Sequence, residues 1–334
     1  MSAWRMGGLL VWVLGLALSA HAQAPAASQA SAPTTPTTDC PPAARAPTAQ
    51  EMAQAMAQAR DRGFLWRVSK GGRSSWLYGT IHLGRMDWIV PGPKVSAALR
   101  ASDVVAFELD VTDSALMQRL QQGMTAAARD TAAPPLPDDL ASRLRTQLQA
   151  ACAPPEMLAS AAPEMLGAML MLMSARREGL DASYGIDPSL AVFARGEKKT
   201  VISLETPELQ LKLMRSSTAP DLRESLEKTL RALEQDSARP LLLRVARVWE
   251  QGQSGEMERY REWCDCAGTV YERATLKAML DDRNGPMAQR IDALHAEGKT
   301  VFAAVGSLHM FGPAALPSLL ARRGYRVERV AFGP

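Results

Sequence analysis

Histidine and cysteine are scarce in this 334-residue sequence, at four each, and aromatic residues make up only 5% of it. Any metal or catalytic site must therefore be drawn from a short list. Charge is nearly balanced, with 38 Lys and Arg against 35 Asp and Glu for a net +3. That balance excludes a strongly basic nucleic-acid-binding surface, and no nucleic-acid motif is present. With 47% apolar residues the chain is also too hydrophobic to read as disordered. Apolar runs of membrane-spanning length are missing beyond the N-terminus, so no transmembrane segment is expected in the mature chain. The length suffices to bury a sizeable core.

The N-terminus carries a different signal. Arg5 precedes a short apolar run from Gly7 to Ala20, and Ala20-His21-Ala22 is an A-x-A cleavage pattern. Residues 1–22 read as a signal peptide, so the mature chain is expected to be exported, periplasmic or secreted. Residues 23–50, rich in Ala, Pro and Thr, read as a disordered linker. In an oxidising compartment Cys40, Cys152, Cys264 and Cys266 read as structural cysteines with three possible pairings. A bridge between Cys264 and Cys266 looks too short to close comfortably, so other pairings are expected.

From residue 51 to 334 the pattern is that of one α/β domain. Phe64–Ser69 and Trp76–Gly79 flank Gly71-Gly72 and predict a hairpin. Asp103–Leu109, Lys199–Leu204, Thr300–Val305 and Tyr325–Ala331 read as strands. Between them, about 112–300 is mostly helical, with starts signalled at Pro163, Asp187-Pro188, Thr206-Pro207 and Pro286. The expected architecture is a mixed, largely parallel sheet built from two related halves, with a long helical insertion.

Two of the three histidines left after cleavage share one context. Gly79-Thr80-Ile81-His82 and Gly306-Ser307-Leu308-His309 each close an apolar, strand-like run. Glycine at a strand end permits a sharp turn or close approach of a ligand, and the hydroxyl residue can orient the imidazole. Glu108 and Glu205 follow apolar runs in the same way. If the four strands are parallel neighbours, His82, Glu108, Glu205 and His309 meet at the carboxyl edge of the sheet, where open α/β sheets bind ligands. Such a set suits either a two-histidine, carboxylate metal site or a metal-free histidine–carboxylate pair. Other candidates have plainer readings. Asp187 reads as a helix cap, Arg283-Asn284 as helix-end residues, and His295 as a surface or helix-dipole residue. The methionines at 165, 169, 171 and 173 read as core, because residues two apart on a helix point to different faces.

GTIH and GSLH, with FELD, GID, LETPELQ and DDRN between them in order, resemble the TraB/GumN family from about Phe64 to the C-terminus. That family is grouped with the Tiki-type metalloproteases and, more distantly, with erythromycin esterase-like and ChaN-like proteins. The resemblance implies an exported, metal-dependent, peptidase-like hydrolase. His82, His309 and Glu108 would hold a divalent ion (Mn, Co or Zn), Glu205 would act as general base, and Arg283 would steady an oxyanion. The partner would be a peptide or small-molecule substrate. Two alternatives keep the same crevice: a non-catalytic envelope protein binding a peptide, metal or haem, and a metal-free His/Glu hydrolase.

Overall fold

The computed structural model describes residues 40–333. The expected signal peptide and residues 23–39 of the expected linker lie outside the described residues. From 40 to 48 the chain has no helix or strand, but it is tied down by a Cys40–Cys152 disulfide and by paired hydrogen bonds between the Arg45 backbone and the Tyr184 hydroxyl.

Six strands form one sheet: β1 (Phe64–Lys70), β2 (Arg73–Thr80), β3 (Val104–Phe107), β4 (Thr200–Ser203), β5 (Val301–Gly306) and β6 (Arg326–Val330). Their spatial order is β4-β3-β5-β2-β1-β6. The four strands from β4 to β2 are parallel, while β1 runs antiparallel to both β2 and β6. The β1–β2 hairpin turns on Gly71 and Gly72 at φ 58° and 76°, the left-handed backbone that a two-residue hairpin demands. Every residue of β5 (VFAAVG) is buried, as expected of an interior parallel strand covered on both faces.

Helices fill the connections from β3 to β4 and from β4 to β5. Leu140, Leu144 and Leu148 repeat every four residues, as do Leu222, Leu226 and Leu230. Each set makes one apolar stripe, and together with Leu166 and Leu170 they form a second core apart from the sheet. Met165 and Met171 are buried in the Pro163–Met173 helix, as core residues.

Four local expectations need correction. Cys264 and Cys266 do pair with each other. Asp265, at φ 51°, reverses the chain and brings the two Cα atoms to 5.1 Å, within the range a disulfide spans. His295 is buried, and its Nε2 donates to the Lys70 carbonyl at 2.9 Å. The helix expected from Pro286 begins at Asp282 and carries Pro286 in its first turns, which places Arg283 and Asn284 inside it. Asp187 is the second residue of the Ile186–Gly196 helix, whose cap position is Gly185, so its carboxylate is left for other partners.

Peptide mapping under non-reducing conditions is expected to recover Cys40 and Cys152 in two linked fragments, and Cys264 and Cys266 in one fragment that gains two hydrogens on reduction. Replacing Cys40 and Cys152 together by Ser should lower the unfolding free energy in urea by about 2–5 kcal/mol, because the bridge closes a long loop.

Candidate functional site

The parallel strands β4, β3, β5 and β2 end side by side at one edge of the sheet. Glu205, Glu108, His309 and His82 follow them, so the topology brings all four expected residues to one crevice. Backbone bonds hold the strand exits together: Leu204 N–H donates to Phe107 O at 2.7 Å, and Glu205 N–H to Glu108 O at 3.0 Å. On the other side the Ser307 hydroxyl donates to Thr80 O at 2.7 Å, joining the two histidine motifs. A side chain at Gly79 would crowd that contact, since a Cβ there would lie 3.0 Å from Ser307 Oγ and 3.2 Å from its Cα.

His82 is held by Asp187. Its Nδ1 lies 2.7 Å from Asp187 Oδ2, and the Thr80 hydroxyl donates to Oδ1 at 2.8 Å. The loop before Asp187 is registered on the motif itself, through Ile186 N–H to Ile81 O at 2.9 Å. A carboxylate only accepts, so Nδ1 carries a proton, and in the neutral ring Nε2 is the basic atom.

His309 is fully buried and is held the same way by a different group. Its Nδ1 lies 2.5 Å from Asn284 Oδ1. The Asn284 amide donates to the carbonyls of His309 (3.3 Å) and Ala314 (2.9 Å), which fixes its oxygen towards the ring. Here too the Nδ1–H tautomer follows, and Nε2 is the basic atom.

Arg283 occupies the middle of the crevice and is 4% exposed. Nε donates to Glu205 Oε1 at 2.7 Å, Nη2 donates to Glu108 Oε2 at 2.7 Å and also to Glu205 Oε2, and Nη1 donates to Met279 O at 2.9 Å. Met279 lies in a π-turn, Lys277–Asp281, that leads into the Asp282–Ala296 helix. Gln210 donates to Glu205 Oε2 at 3.0 Å, and Gly306 N–H donates to Glu108 Oε1 at 2.7 Å. The expected general base and oxyanion donor are thus bonded to each other.

Burial and charge set the proton affinities. Burial pushes the Glu108 carboxyl up to about 7, with Glu205 and Asp187 adding to the rise against Arg283 and His82. For His82 burial acts downward, but Asp187 at Nδ1 and then Glu108 outweigh it, so its pKa is raised. His309 falls well below the usual imidazole value through burial, Arg283 and His82. The crevice therefore holds one neutral imidazole, one readily protonated imidazole, and a carboxyl that exchanges its proton near neutrality.

Two imidazole lone pairs and a carboxylate oxygen suit a borderline divalent ion in chemical type. The spacing is wider than a bound set. His309 Nε2 lies 4.0 Å from Glu108 Oε1, whereas ligands about 2.1 Å from a tetrahedral ion would stand about 3.4 Å apart. Among the described residues no three or more His, Cys, Asp or Glu side chains are gathered closely enough for an ion. The expected trio is therefore not closed, because Glu108 is engaged by Arg283 and by Gly306. Asp187 and Asn284, read above as helix-terminal residues, are the positioning groups that sequence reasoning missed. Their only signal was membership of the GID and DDRN motifs.

The TraB/PrgY/gumN family model matches residues 64–329. Metalloprotease TIKI1 of Danio rerio is 26% identical over 321 residues, which cover 81% of this chain but only 63% of that protein. The uncharacterized protein YbaP of Shigella flexneri is 25% identical over 255 residues, covering 75% of this chain and 89% of YbaP. No solved structure matches the chain significantly.

Nitrogen-resolved NMR of the histidine rings is expected to show the Nδ1–H tautomer wherever His82 and His309 are neutral. Their midpoints should fall on opposite sides of the free imidazole value of about 6.5. In Asp187→Asn, burial is no longer offset by that charge, so the His82 midpoint should drop; an unchanged midpoint would contradict the assignment. Arg283→Met leaves two buried carboxylates without their cation and should cost about 3–5 kcal/mol in chemical unfolding.

Proposed function

Because the chain belongs to the TraB/PrgY/gumN family, we propose that it is an exported hydrolase of peptide or amide bonds, working at the crevice between His82 and His309. The observation that carries this reading is the matched pair of histidines. Each follows a strand, each has Nδ1 bonded to a dedicated partner, and the charge of Glu108 acts on His82 while its Oε1 lies 4.0 Å from His309 Nε2. The likeness to metalloprotease TIKI1 supports the hydrolytic class. Two disulfides support export, and among the described residues no helix is long and apolar enough to cross a membrane.

His82 and His309 would hold a divalent ion (Mn, Co or Zn), and Glu108 would join them as the carboxylate only on leaving Arg283 and the Gly306 N–H, which hold it in this structure. When bound, such an ion lowers the pKa of water towards about 7 and polarises a carbonyl. Asp187 and Asn284 keep the two imidazoles in the ligating tautomer, the task that outer partners of metal-bound histidines perform. Arg283 and Glu205 we assign to charge balance and to the placement of Glu108. The guanidinium fork is filled, so an oxyanion could reach it only by displacing a carboxylate. One observation favours a metal-free variant. The His82–Asp187 pair has the arrangement of a base and its orienting carboxylate, and Glu108 holds a proton near pH 7. In that reading His82 takes a proton from water and Glu108 gives one to the leaving amine.

Metal content and turnover of a peptide library are the measurements that test this. The purified mature protein is expected to bind one divalent ion, and His82→Ala and His309→Ala to bind none. Asp187→Asn should weaken metal affinity or turnover about 10–100-fold. Turnover that survives chelation yet needs His82 would select the metal-free variant. Metal binding without any cleavage would leave a binding protein in place of a hydrolase.

A further inference from the structure

A cavity of about 550 Å³ opens beside the crevice, and its walls continue the elements that carry Glu205 and Arg283. On one side runs the Pro207–Leu213 helix, which begins directly after Glu205-Thr206. Its Gln210 bonds to Glu205, whereas Lys212, Leu213 and the following Met214 line the cavity. On the other side Met279 lines the cavity while its carbonyl accepts the Arg283 Nη1 proton at 2.9 Å. One peptide unit therefore belongs to both the reactive crevice and the cavity wall. Ala168, Ala274 and Leu276 add further hydrocarbon.

We propose that this cavity is a specificity pocket that takes a neutral, apolar side chain of the peptide substrate. The proposal rests on the hydrolytic reading above and adds the chemistry of one subsite. The volume lies within the range of about 300–1,000 Å³ typical of small-ligand sites, room for a large side chain and part of its neighbour. Charges around the cavity cancel, with Glu164 and Asp221 against Lys212 and Arg215. Three of the four are already occupied: Glu164 accepts Ser216 N–H at 2.6 Å, Asp221 accepts the Thr218 hydroxyl at 2.7 Å, and Arg215 bonds Asp130 at 2.7 Å. A charged ligand group would have to be desolvated with no opposite field to receive it, while an apolar group gains by leaving water. Val270 is 77% exposed and also lines the cavity, which gives an entering chain apolar surface at the rim.

The pocket is tested on the full chain with Ala274→Trp, which fills it from an exposed helix position, and with Val270→Asp, which makes the rim charged. Neither residue belongs to the reactive crevice. Retained thermal unfolding identifies a folded variant, and Val270→Asp serves if Ala274→Trp does not fold. Methionine-methyl NMR is recorded while N-acetyl-Leu-Leu-amide or N-acetyl-Asp-Asp-amide is added. The Leu peptide is expected to shift Met214 and Met279 saturably, the Asp peptide to leave them unmoved, and either variant to weaken Leu-peptide binding by about tenfold or more. Absence of a saturable shift, equal response to both peptides, or equal affinity in the variants would overturn the proposal. Digestion of a peptide library separates it from the reading it rests on. An apolar preference at one subsite that moves to small residues in Ala274→Trp supports the pocket. Cleavage without such a preference removes the pocket and leaves the hydrolase. Leu-peptide binding without any cleavage keeps the pocket and removes the hydrolase.

Discussion

The buried guanidinium of Arg283 is the interaction on which the site depends. It bonds two carboxylates, from the ends of β3 and β4, and does so out of contact with water. Burying a cation with two carboxyl groups is costly, and the cost is offset only if nearly every donor and acceptor finds a partner. That condition organises the surroundings. The Gly306 N–H takes the Glu108 oxygen that Arg283 does not, Gln210 shares Glu205 Oε2 with Arg283, and the carbonyl of Met279 takes the remaining side of the fork. The π-turn before the Asp282–Ala296 helix carries that carbonyl, so a local irregularity of the helix is tied to the charge balance.

Around this centre the two histidine motifs are related in frame but not in support. His82 is oriented by a carboxylate and His309 by an amide, and this difference separates their proton affinities. A negative partner stabilises the imidazolium, while a neutral one leaves burial unopposed. Duplicated motifs at the ends of neighbouring strands thus supply two rings of the same tautomer and different basicity. That asymmetry is useful whether the rings hold an ion or handle a proton.

Much of this arrangement was legible in the residues. Buried strands such as Val301–Gly306 announce themselves as unbroken apolar runs, and Thr206-Pro207 announces a helix through its cap and its fixed φ. The two Gly-[Thr/Ser]-x-His frames stand out because so few histidines compete with them. Less visible were residues whose local chemistry suits two tasks. Asp187 sits where a cap could sit, and only its distance from His82 shows where its carboxylate goes. Arg283 and Asn284 precede Gly285-Pro286 and look like a helix end, yet the helix runs through them. Cys264 and Cys266 close a bridge because Asp265 adopts a left-handed backbone, which composition does not reveal.

By itself the sequence determined the elements, the two histidine frames and the family resemblance, since these follow from periodicity, turn chemistry and short motifs within a few residues of one another. Tertiary structure alone decided that β2, β5, β3 and β4 are parallel neighbours, that Asp187 and Asn284 serve the histidines, and that Arg283 is spent on Glu108 and Glu205. Those partners lie 25 to 175 residues apart in the sequence. Their pairing depends on burial and on the direction of lone pairs across the sheet edge, and no local pattern encodes either.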